Sequence, residues 1–525
     1  MMTQRWTRRR FLATAGSALG GLAAADAGSG SEGPASRPNI LVVHVDQHRI
    51  DCLGAYGNED VKTPHVDRLA DDGVRYENSF CPYPVCTPSR YSLLSGRYVH
   101  EHGGWNNRST LAPGIDTFPR ILRASGYRTK AVGKMHFMPT YLDVGFDELV
   151  LAEQDGPGRW DDDYHRYLMR LGLVDRNDLE DQRAEYRRHA PKRYWETFGA
   201  LASNLPEKHH STTWIADRAL ETLERWDSAS SHLLMVGFIK PHHPFDPPAP
   251  WHEMYDPHKL TLLPGWEGQC LKRDLDYSRG YFPHAELTEP PLRRAMAFYY
   301  AAVSQIDHHV GRMIALLKRK GLYDDTLIVY TADHGDYMGY HHMLLKGNYM
   351  YDPLVKVPLI VKWPGSRQAG EVASRLVSNV DLAPTLCQAA GCRPGSEMQG
   401  QDLRAGGTER SLVFAEHGGG REVMARSRSH KLILAAPHHE NLFFDLERDP
   451  LEIENLYHAP EHRAVVAKME TALDAWRSKD PRPKPYQDLD APQIDQPNVP
   501  PKDLSHRDRV VAYYQEKMKA FEPAR

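Results

Sequence analysis

The sequence predicts an α/β protein: a large, mostly parallel sheet sandwiched by helices, with a smaller C-terminal α+β subdomain carrying an antiparallel sheet. Buried strand patterns alternate with helical patterns through most of the chain, which is the order expected when helices connect parallel strands. After about residue 391 the strand-like runs become short and are separated only by turns, as in an antiparallel sheet. The 525 residues suffice for one large domain and a smaller one.

The composition is that of an ordinary globular protein, and it argues against a nucleic-acid-binding protein and against a disulfide-rich protein. Hydrophobic residues make up 41% of the chain and charged residues 26%, with a formal net charge of −4. A nucleic-acid partner is not expected, because such proteins carry a basic surplus. Six cysteines in so long a chain do not form a disulfide framework. Cys387 and Cys392 are close enough in sequence to pair, but two free thiols fit equally well.

Residues 1–27 are predicted to be a twin-arginine export signal. Three consecutive arginines precede Phe11-Leu12 and a short apolar run rich in Ala and Gly, and Ala25-Asp26-Ala27 offers a cleavage site. The alternative is a basic disordered arm. The run is too short to span a bilayer, so no stable membrane insertion is expected. Residues 28–37 are a Gly/Ser/Pro-rich linker. We therefore expect a periplasmic or secreted protein.

The main domain is predicted to span residues 38–390. Its strands are predicted from β-branched apolar runs, and its helices from capping residues and periodic apolar faces. A polar and aromatic stretch, residues 146–210, is interpreted as an insertion that shapes access to a site. The predicted elements are strands at 39–45, 74–80, 127–132, 232–239 and 325–331, and helices at 63–73, 116–125, 211–226 and 293–320. Thr63 is predicted to cap the first of these helices.

The C-terminal subdomain is predicted to span residues 391–480 and to be followed by an extension, residues 481–525. The extension is Pro-rich and ends in an amphipathic helix marked by Val510, Tyr514 and Phe521. The subdomain elements are predicted as strands at 411–417, 423–429, 431–435 and 441–445 and a helix at 463–476.

The segment Cys86-Thr87-Pro88-Ser89-Arg90 has the pattern of a loop that enters a helix. Pro88 suits the first helical turn, where its missing N–H is no loss. Cys86 would then lie at a helix N-terminus, where free N–H groups and the helix dipole attract an anion. Arg90 adds a charge that can pair with a tetrahedral oxyanion. In isolation, a buried cysteine in an ordinary turn would fit this pattern as well.

Two predicted strands are followed by an aspartate and a second polar residue, namely Asp46-Gln47 and Asp333-His334. Open α/β sheets bind their ligands at the carboxyl ends of the strands. Two carboxylates with amide and imidazole partners form an oxygen-rich site for a hard divalent cation. The predicted metal ligands are Asp46, Gln47, Cys86, Asp333 and His334.

Basic and histidine side chains follow other strand ends. Lys134 and His136 come directly after strand 127–132, and two positions apart in extended chain they would face the same pocket. His242 follows strand 232–239 within Pro241-His242-His243-Pro244-Phe245, and Lys346 lies five residues after His341.

In combination these motifs resemble those of the type I sulfatases, a family of the alkaline-phosphatase-like superfamily. The cysteine segment continues as Tyr91-Ser92-Leu93-Leu94-Ser95-Gly96-Arg97, which completes the family's signature. Similar motifs are G-K-x-H at 133–136, P-H-x-P-F at 241–245, G-x-H at 339–341 with its lysine, and D-P-x-E-x-x-N-L at 449–456. The resemblance implies that a formylglycine-generating enzyme oxidises Cys86 to Cα-formylglycine. It also implies one divalent metal, calcium in the first place and manganese as an alternative.

The resemblance further assigns roles to individual residues. One hydroxyl of the hydrated aldehyde would attack sulfur, and His242 with Lys346 would protonate the departing oxygen. His136 would help the second hydroxyl to expel sulfate, while Arg90 and Lys134 would orient the hydrate. The predicted catalytic residues are Cys86, Arg90, Lys134, His136, His242 and Lys346. The predicted substrate-binding residues are Lys134, His242, Lys346, Trp105, Asn106, Arg108, His243, His341 and His342, and Tyr340 is a further candidate.

The sequence departs from the family at the metal, where many sulfatases have Asp-Asp and Asp-Asn. A nitrogen ligand moves the preference somewhat toward Mn²⁺ or Zn²⁺. Similar pairs occur in relatives that hydrolyse phosphonate monoesters and phosphodiesters, so an enzyme of that type is the alternative to a sulfatase acting on a sulfated carbohydrate or aryl sulfate. A third hypothesis is a secreted binding protein on an inactive scaffold of this type.

Overall fold

A central sheet of eight strands organises the computed structural model of the protein. The described residues are 37–154, 162–183, 192–276, 287–346, 349–404, 409–435, 440–477, 484–494 and most of 509–517. The strands are β1 (Asn39–Asp46), β2 (Val74–Phe80), β3 (Arg128–Gly133), β4 (Glu148–Leu151), β5 (His232–Pro241), β6 (Thr326–Ala332), β7 (Leu359–Lys362) and β8 (Glu371–Ser378). Their order is β4-β3-β5-β1-β6-β7-β2-β8.

The sheet is mostly parallel, as predicted. β1 pairs in parallel with β5 on one side and with β6 on the other, with Val45 opposite Ala332. β7 is antiparallel to both of its neighbours, β6 and β2. The sequence analysis did not identify β4, β7 or β8, and two of these three have only four residues.

Helices cover both faces of the sheet. They are α1 (Pro64–Asp71), α2 (Cys86–Ser95), α3 (Val99–His102), α4 (Phe118–Ala124), α5 (Asp163–Arg170), α6 (Arg176–Arg183), α7 (Lys192–Glu196), α8 (Ser211–Glu224), α9 (Lys272–Asp276), α10 (Glu289–Arg319), α11 (Asp352–Val355), α12 (Leu382–Ala389) and α13 (Arg463–Trp476). Among the described residues, no helix combines the length and the apolar character needed to cross a membrane.

The side chains of β1 alternate between two hydrophobic cores, one on each face of the sheet. Leu41, Val43 and Val45 pack into one core with α1, α8 and α10. Ile40 and Val42 point the other way, into a core with α2, α4 and α12. Every residue of β1 is buried, which is why its sequence is almost continuously apolar rather than alternating.

The N-terminus of α1 is stabilised differently from the prediction. Thr63 was expected to cap the helix, but it makes no side-chain cap. Asp307 of α10 does so instead, because its Oδ1 accepts hydrogen bonds from the backbone N–H groups of His65 (2.9 Å) and Val66 (2.7 Å). A residue 241 positions away in sequence therefore provides the cap.

The C-terminal region forms a four-stranded antiparallel sheet, which confirms the prediction. Its strands are β9 (Val413–His417), β10 (Glu422–Arg426), β11 (His430–Leu434) and β12 (Leu442–Asp445). One face packs on α13 through Val423, Leu432 and Phe443. The other face packs on residues that follow β6, including Tyr351 and Leu354. The subdomain thereby contacts the segment that carries part of the predicted site.

Several predictions lie outside the described residues. These are the export signal at 1–27, the linker up to residue 36, the loop Gly156-Pro157-Gly158, and much of the extension 481–525. Only parts of the terminal helix, at 509–510, 512–514 and 516–517, are described.

Candidate active site

Cys86 is the first residue of α2, and it is fully buried. Val85 before it is extended, and Pro88 lies within the first helical turn, as predicted. Burial and, after it, the charge of Asp46 raise the pKa of the Cys86 thiol to about 11. The sulfur points into a cluster of charged and imidazole side chains.

The carboxylates of Asp46 and Asp333 lie side by side, because β1 and β6 are adjacent and parallel. Arg90 binds both, with Nη2 at 3.2 Å from Asp46 Oδ2 and 2.9 Å from Asp333 Oδ2. Lys134 Nζ lies 2.5 Å from Asp46 Oδ2. The Oδ2 atoms of both acids therefore contact cations, and the Oδ1 atoms are directed elsewhere.

These cations keep the two acids ionised. Burial and the neighbouring Asp333 would raise the pKa of Asp46, but Lys134 and Arg90 hold it below its usual value. Burial would also raise the pKa of Asp333, yet the positive charges around it, Arg90 among them, hold it well below its usual value. Two buried negative charges thus lie close to the Cys86 sulfur.

His334 places an imidazole nitrogen near Cys86 and Asp46. Its Nδ1 lies 2.9 Å from the carbonyl oxygen of Gly335, and because a carbonyl can only accept, Nδ1 carries the proton. Nε2 is then unprotonated, 3.3 Å from Cys86 Sγ and 3.8 Å from Asp46 Oδ1. Burial lowers the pKa of His334 to about 4, which keeps the ring neutral.

The donor set fits a divalent cation. One ligand atom each from Asp46, Cys86, Asp333 and His334 lies within 4.8 Å of the others, and all four residues are buried. Gln47 adds an amide: its Nε2 donates to Asp336 Oδ2 at 2.5 Å, while its Oε1 is buried and has no hydrogen-bond partner within the described residues. Carboxylate and amide oxygens with one imidazole nitrogen suit Ca²⁺ or, given the nitrogen, Mn²⁺.

Lys346 contacts the sulfur of Cys86 and two imidazole nitrogens. Its Nζ is 2.7 Å from Cys86 Sγ, 2.9 Å from His242 Nε2 and 3.2 Å from His334 Nε2. Burial alone would lower the pKa of Lys346, but contact with Cys86 and the charges of the two aspartates raise it. The lysine is therefore an ammonium group in contact with both the sulfur and an imidazole.

His242 is the acceptor in its contact with Lys346. Its Nδ1 lies 2.6 Å from the carbonyl oxygen of His243, so Nδ1 carries the proton and Nε2 the lone pair. Burial, then the neighbouring His243 and Lys346, lower the pKa of His242 well below its usual value. The ring of His243 stacks on that of His242, with centroids 4.0 Å apart.

The segment after β3 differs from the prediction in its backbone. Gly133 has φ 92° and His136 has φ 57°, so the chain from Lys134 to His136 is not extended, and the alternation argument for their common pocket is wrong. The backbone of His136 is fixed instead by Glu153, whose Oε1 accepts its N–H at 2.9 Å, and by Thr87, whose hydroxyl donates to its carbonyl at 2.9 Å.

Among the predicted substrate residues, His341 contacts groups outside the cluster. Its Nδ1 is 2.8 Å from Asp274 Oδ2 and its Nε2 is 2.8 Å from the Leu451 carbonyl. Both nitrogens therefore contact protein groups, and the substrate-binding role of His341 stays a prediction. Tyr340 is also buried, with its hydroxyl on the Leu451 carbonyl. His342 Nε2 is 2.8 Å from the Glu267 carbonyl.

The other predicted substrate residues lie in the loop after α3. Trp105 is buried and packs on Tyr83. Asn106 and Arg108 are exposed, and Asn106 Oδ1 accepts the Arg108 N–H at 2.8 Å. The residue between them, Asn107, makes the contact with α2 that the sequence analysis missed: its Oδ1 accepts the Thr87 N–H at 3.1 Å.

Three more residues near the cluster were not assigned from the sequence. Glu153 fixes the segment after β3, and Asp336 Oδ1 accepts the N–H groups of Met338 (2.7 Å) and Leu345 (3.1 Å). His44 is buried on β1, where burial and the charge of Arg90 lower its pKa to about 3. Asp336 lies three residues after Asp333, but no pattern in the sequence distinguished Asp336, Glu153 or His44.

Comparison with known proteins identifies the family. The profile of the sulfatase family matches residues 38–392, which is more than half of the chain. The chain belongs to the sulfatase family. The profile of the N-sulphoglucosamine sulphohydrolase C-terminal region matches residues 339–479 of this sulfatase. Its activity is accordingly the hydrolysis of sulfuric esters.

Two relatives agree with the assignment to the sulfatase family, and a solved structure shares the fold. An arylsulfatase of Clostridium perfringens is 28% identical over 466 residues, covering 82% of this sulfatase and 92% of the relative. An N-acetylglucosamine-6-O-sulfatase of Bacteroides thetaiotaomicron is 27% identical over 506 residues, covering 85% and 88%. The crystal structure of a phosphonate monoester hydrolase of Agrobacterium radiobacter has the same fold, with a TM-score of 0.68, 24% identity and coverage of 84% and 96%.

Proposed function

We propose that this sulfatase hydrolyses a saccharide sulfate ester with a formylglycine made from Cys86 and one divalent metal, calcium or manganese. One observation carries the proposal: the Cys86 sulfur contacts an ammonium group and an imidazole nitrogen and lies beside two ionised carboxylates, all buried. The proposed metal ligands are Asp46, Gln47, Asp333, His334 and residue 86. The N-acetylglucosamine-6-O-sulfatase relative supports a sugar as the alcohol part of the ester.

The bound groups supply two kinds of chemistry. The metal would neutralise charge on the sulfate oxygens and lower the pKa of a nearby hydroxyl. The hydrated aldehyde would supply one hydroxyl that bonds to sulfur and a second whose deprotonation releases sulfate. A thiol with a raised pKa is a poor nucleophile in its own right, which agrees with conversion of Cys86.

The protein's own side chains position the reacting groups and supply the proton for the departing oxygen. Arg90 and Lys134 hold the carboxylates in place and keep residue 86 between fixed charges, so the site is pre-organised before the sulfate arrives. When the bond from sulfur to the sugar oxygen breaks, that oxygen needs a proton. Lys346 carries one and His242 accepts from it, so we propose that Lys346 donates the proton directly or through His242 Nε2. His136 is proposed to assist the release of sulfate.

A peptide mass spectrum of the segment around Cys86 tests the nucleophile. Loss of the sulfur, with an aldehyde that reacts with a hydrazine probe, is expected; an unmodified cysteine in active enzyme would contradict the proposal. An inactive binding protein would show the cysteine unchanged and no turnover.

The second candidate is a phosphonate monoester or phosphodiester hydrolase with the same nucleophile. The observation that favours it is the metal site, where Gln47 and His334 stand in place of the acid and amide common in sulfatases. Rates on nitrophenyl sulfate, phenyl phosphonate esters and sulfated sugars, measured on one preparation, separate the two. We expect the highest kcat/KM on a sulfated sugar, and a preference for phosphonate would reverse the assignment.

Export by a twin-arginine signal to the periplasm or beyond is part of the proposal, as is maturation by a formylglycine-generating enzyme. The arginine motif at residues 8–10 supports the first and the C-x-P-S-R motif supports the second. Replacing two of the arginines with lysine should abolish export while leaving activity in the cell extract unchanged.

A further inference from the structure

The turn at residues 449–456, hereafter the acidic turn, belongs to the C-terminal subdomain and has no role in the chemistry described above. Asn455 shapes it, because its Oδ1 accepts the N–H groups of Phe443 and Tyr457, both at 3.1 Å. Glu452 lies in the same turn and is fully buried. Its backbone φ of 55° is unusual for a residue with a side chain.

Glu452 is held in a buried set of charges. Its Oε1 lies 2.5 Å from Lys431 Nζ, which is also 2.5 Å from Asp352 Oδ1. Arg426 Nη2 is 3.1 Å from Asp352 Oδ2. Two acids and two bases thus balance one another. Such a set is costly to bury and adds little stability over apolar packing, so its placement calls for a reason other than stability.

The other oxygen of Glu452 contacts the segment that carries Lys346. Glu452 Oε2 accepts a hydrogen bond from the Tyr340 hydroxyl at 3.2 Å and from the Asp352 N–H at 2.8 Å. The adjacent Leu451 carbonyl lies 2.6 Å from the same hydroxyl and 2.8 Å from His341 Nε2. The acidic turn therefore holds the tip of residues 335–346, hereafter the lysine loop.

The lysine loop needs such support because its backbone is strained. Four of its residues with side chains have positive φ, namely Met338 (39°), His341 (49°), His342 (61°) and Leu345 (68°). Left-handed backbone at these residue types persists only where surrounding contacts over-determine it. Asp336 fixes the base of the loop from within, and the acidic turn fixes its tip from outside.

We propose that Glu452 is a positioning residue that keeps the lysine loop in the conformation in which Lys346 Nζ contacts Cys86 and His242. This inference rests on the proposed role of Lys346 as the source of the proton for the departing oxygen. Loss of the Glu452 contact should displace Lys346 and slow the step that needs its proton. A misplacement of about 1 Å can cost on the order of a hundredfold in rate.

The test compares Glu452→Ala and Tyr340→Phe with the matched control Asn455→Ala. Tyr340→Phe removes only the hydroxyl and keeps the buried ring, so it remains informative if Glu452→Ala does not fold. Asn455→Ala perturbs the same turn without a contact to the lysine loop. Two quantities are measured on the mature enzyme: hydrogen exchange at residues 337–345, and the ratio of single-turnover rates on a saccharide sulfate and on nitrophenyl sulfate.

Glu452→Ala and Tyr340→Phe should accelerate exchange at residues 337–345 and lower the rate ratio by about tenfold to a hundredfold. Asn455→Ala should change the melting temperature but neither quantity. Hydrogen exchange no faster than in the control would overturn the inference. The inference would also fail if exchange became faster but the rate ratio stayed unchanged, while Lys346→Ala did lower that ratio. If Lys346→Ala itself leaves the ratio unchanged, the proposed role of Lys346 fails, and exchange alone then decides whether Glu452 holds the loop.

Discussion

Lys346 Nζ lies 2.7 Å from Cys86 Sγ, although 260 residues separate the two in sequence. The same nitrogen contacts His242 Nε2 at 2.9 Å. A single cation thus touches both the residue proposed to attack sulfur and the imidazole proposed to serve the departing oxygen. The first predictions test the parts of this arrangement one at a time.

Cys86→Ala should abolish ester hydrolysis without unfolding the protein, since the variant removes one sulfur atom from the first turn of α2. Steady-state assays on nitrophenyl sulfate and a circular dichroism spectrum check both statements. Cys81→Ala is the matched control: it removes another buried thiol five residues earlier and should keep most of the activity. Substantial turnover by Cys86→Ala would eliminate the formylglycine mechanism.

Asp46→Ala and Asp333→Ala should each lose the metal and nearly all activity. One remaining carboxylate cannot hold a hard dication, and Arg90 is left with an incomplete set of partners. Metal content measured by inductively coupled plasma mass spectrometry on folded protein checks this. Asp227→Ala is the control, because that side chain is 47% exposed. Metal content equal to that of the control would show that these acids are not ligands.

Lys346→Ala and His242→Ala should slow poor leaving groups more than good ones. A nitrophenolate departs without a proton, whereas a sugar alkoxide does not, and general acid catalysis is typically worth about a hundredfold to ten-thousandfold. We expect losses in that range on a saccharide sulfate and far smaller ones on nitrophenyl sulfate, in single-turnover experiments. Equal losses on both esters would mean that these side chains bind the sulfate group instead.

Asp307 should make stability fall as pH rises from about 4 to about 7. Burial raises the pKa of Asp307 to about 7, although the N–H groups of Val66 and His65 lower it. The folded state therefore binds this proton more tightly than the unfolded state, and the stabilisation is lost as pH rises through the folded pKa.

Asp307→Asn should remove this dependence, because the amide oxygen can still accept both N–H groups without a buried charge. Relative to wild type, its melting temperature should be higher at pH 8, with the gap closing toward pH 4. The exposed Asp325→Asn is the control. A gap that is constant with pH would show that Asp307 does not titrate in this window.

Local patterns were sufficient to place the two acids at the carboxyl ends of buried strands. Buried apolar runs end at Asp46 and just before Asp333, and parallel strands bring their carboxyl ends to one edge of a sheet. The sequence did not predict that β1 and β6 are neighbours, which the structure shows. The fold class followed from the same alternation of strands and helices.

Contacts that depend on distant segments were not predictable. His341 occupies a recognised motif, yet its orientation is decided by Asp274 and by the Leu451 carbonyl, 110 residues further along. The positive φ at His136 invalidated an argument that assumed extended chain. Asn107 and Glu153 contact backbone N–H groups across the fold, and no spacing rule distinguishes them from ordinary loop residues.

The complete burial of Cys86 has a consequence for the timing of its oxidation. An enzyme that modifies this residue needs it accessible, and the side chains that enclose it, His334 and Lys346, are synthesised 248 and 260 residues later. At about 5–20 residues per second, translation leaves an interval of about 10–50 s in which the nascent segment is exposed. The speed of the ribosome, and any pause between these codons, should therefore set the fraction of molecules that emerge active.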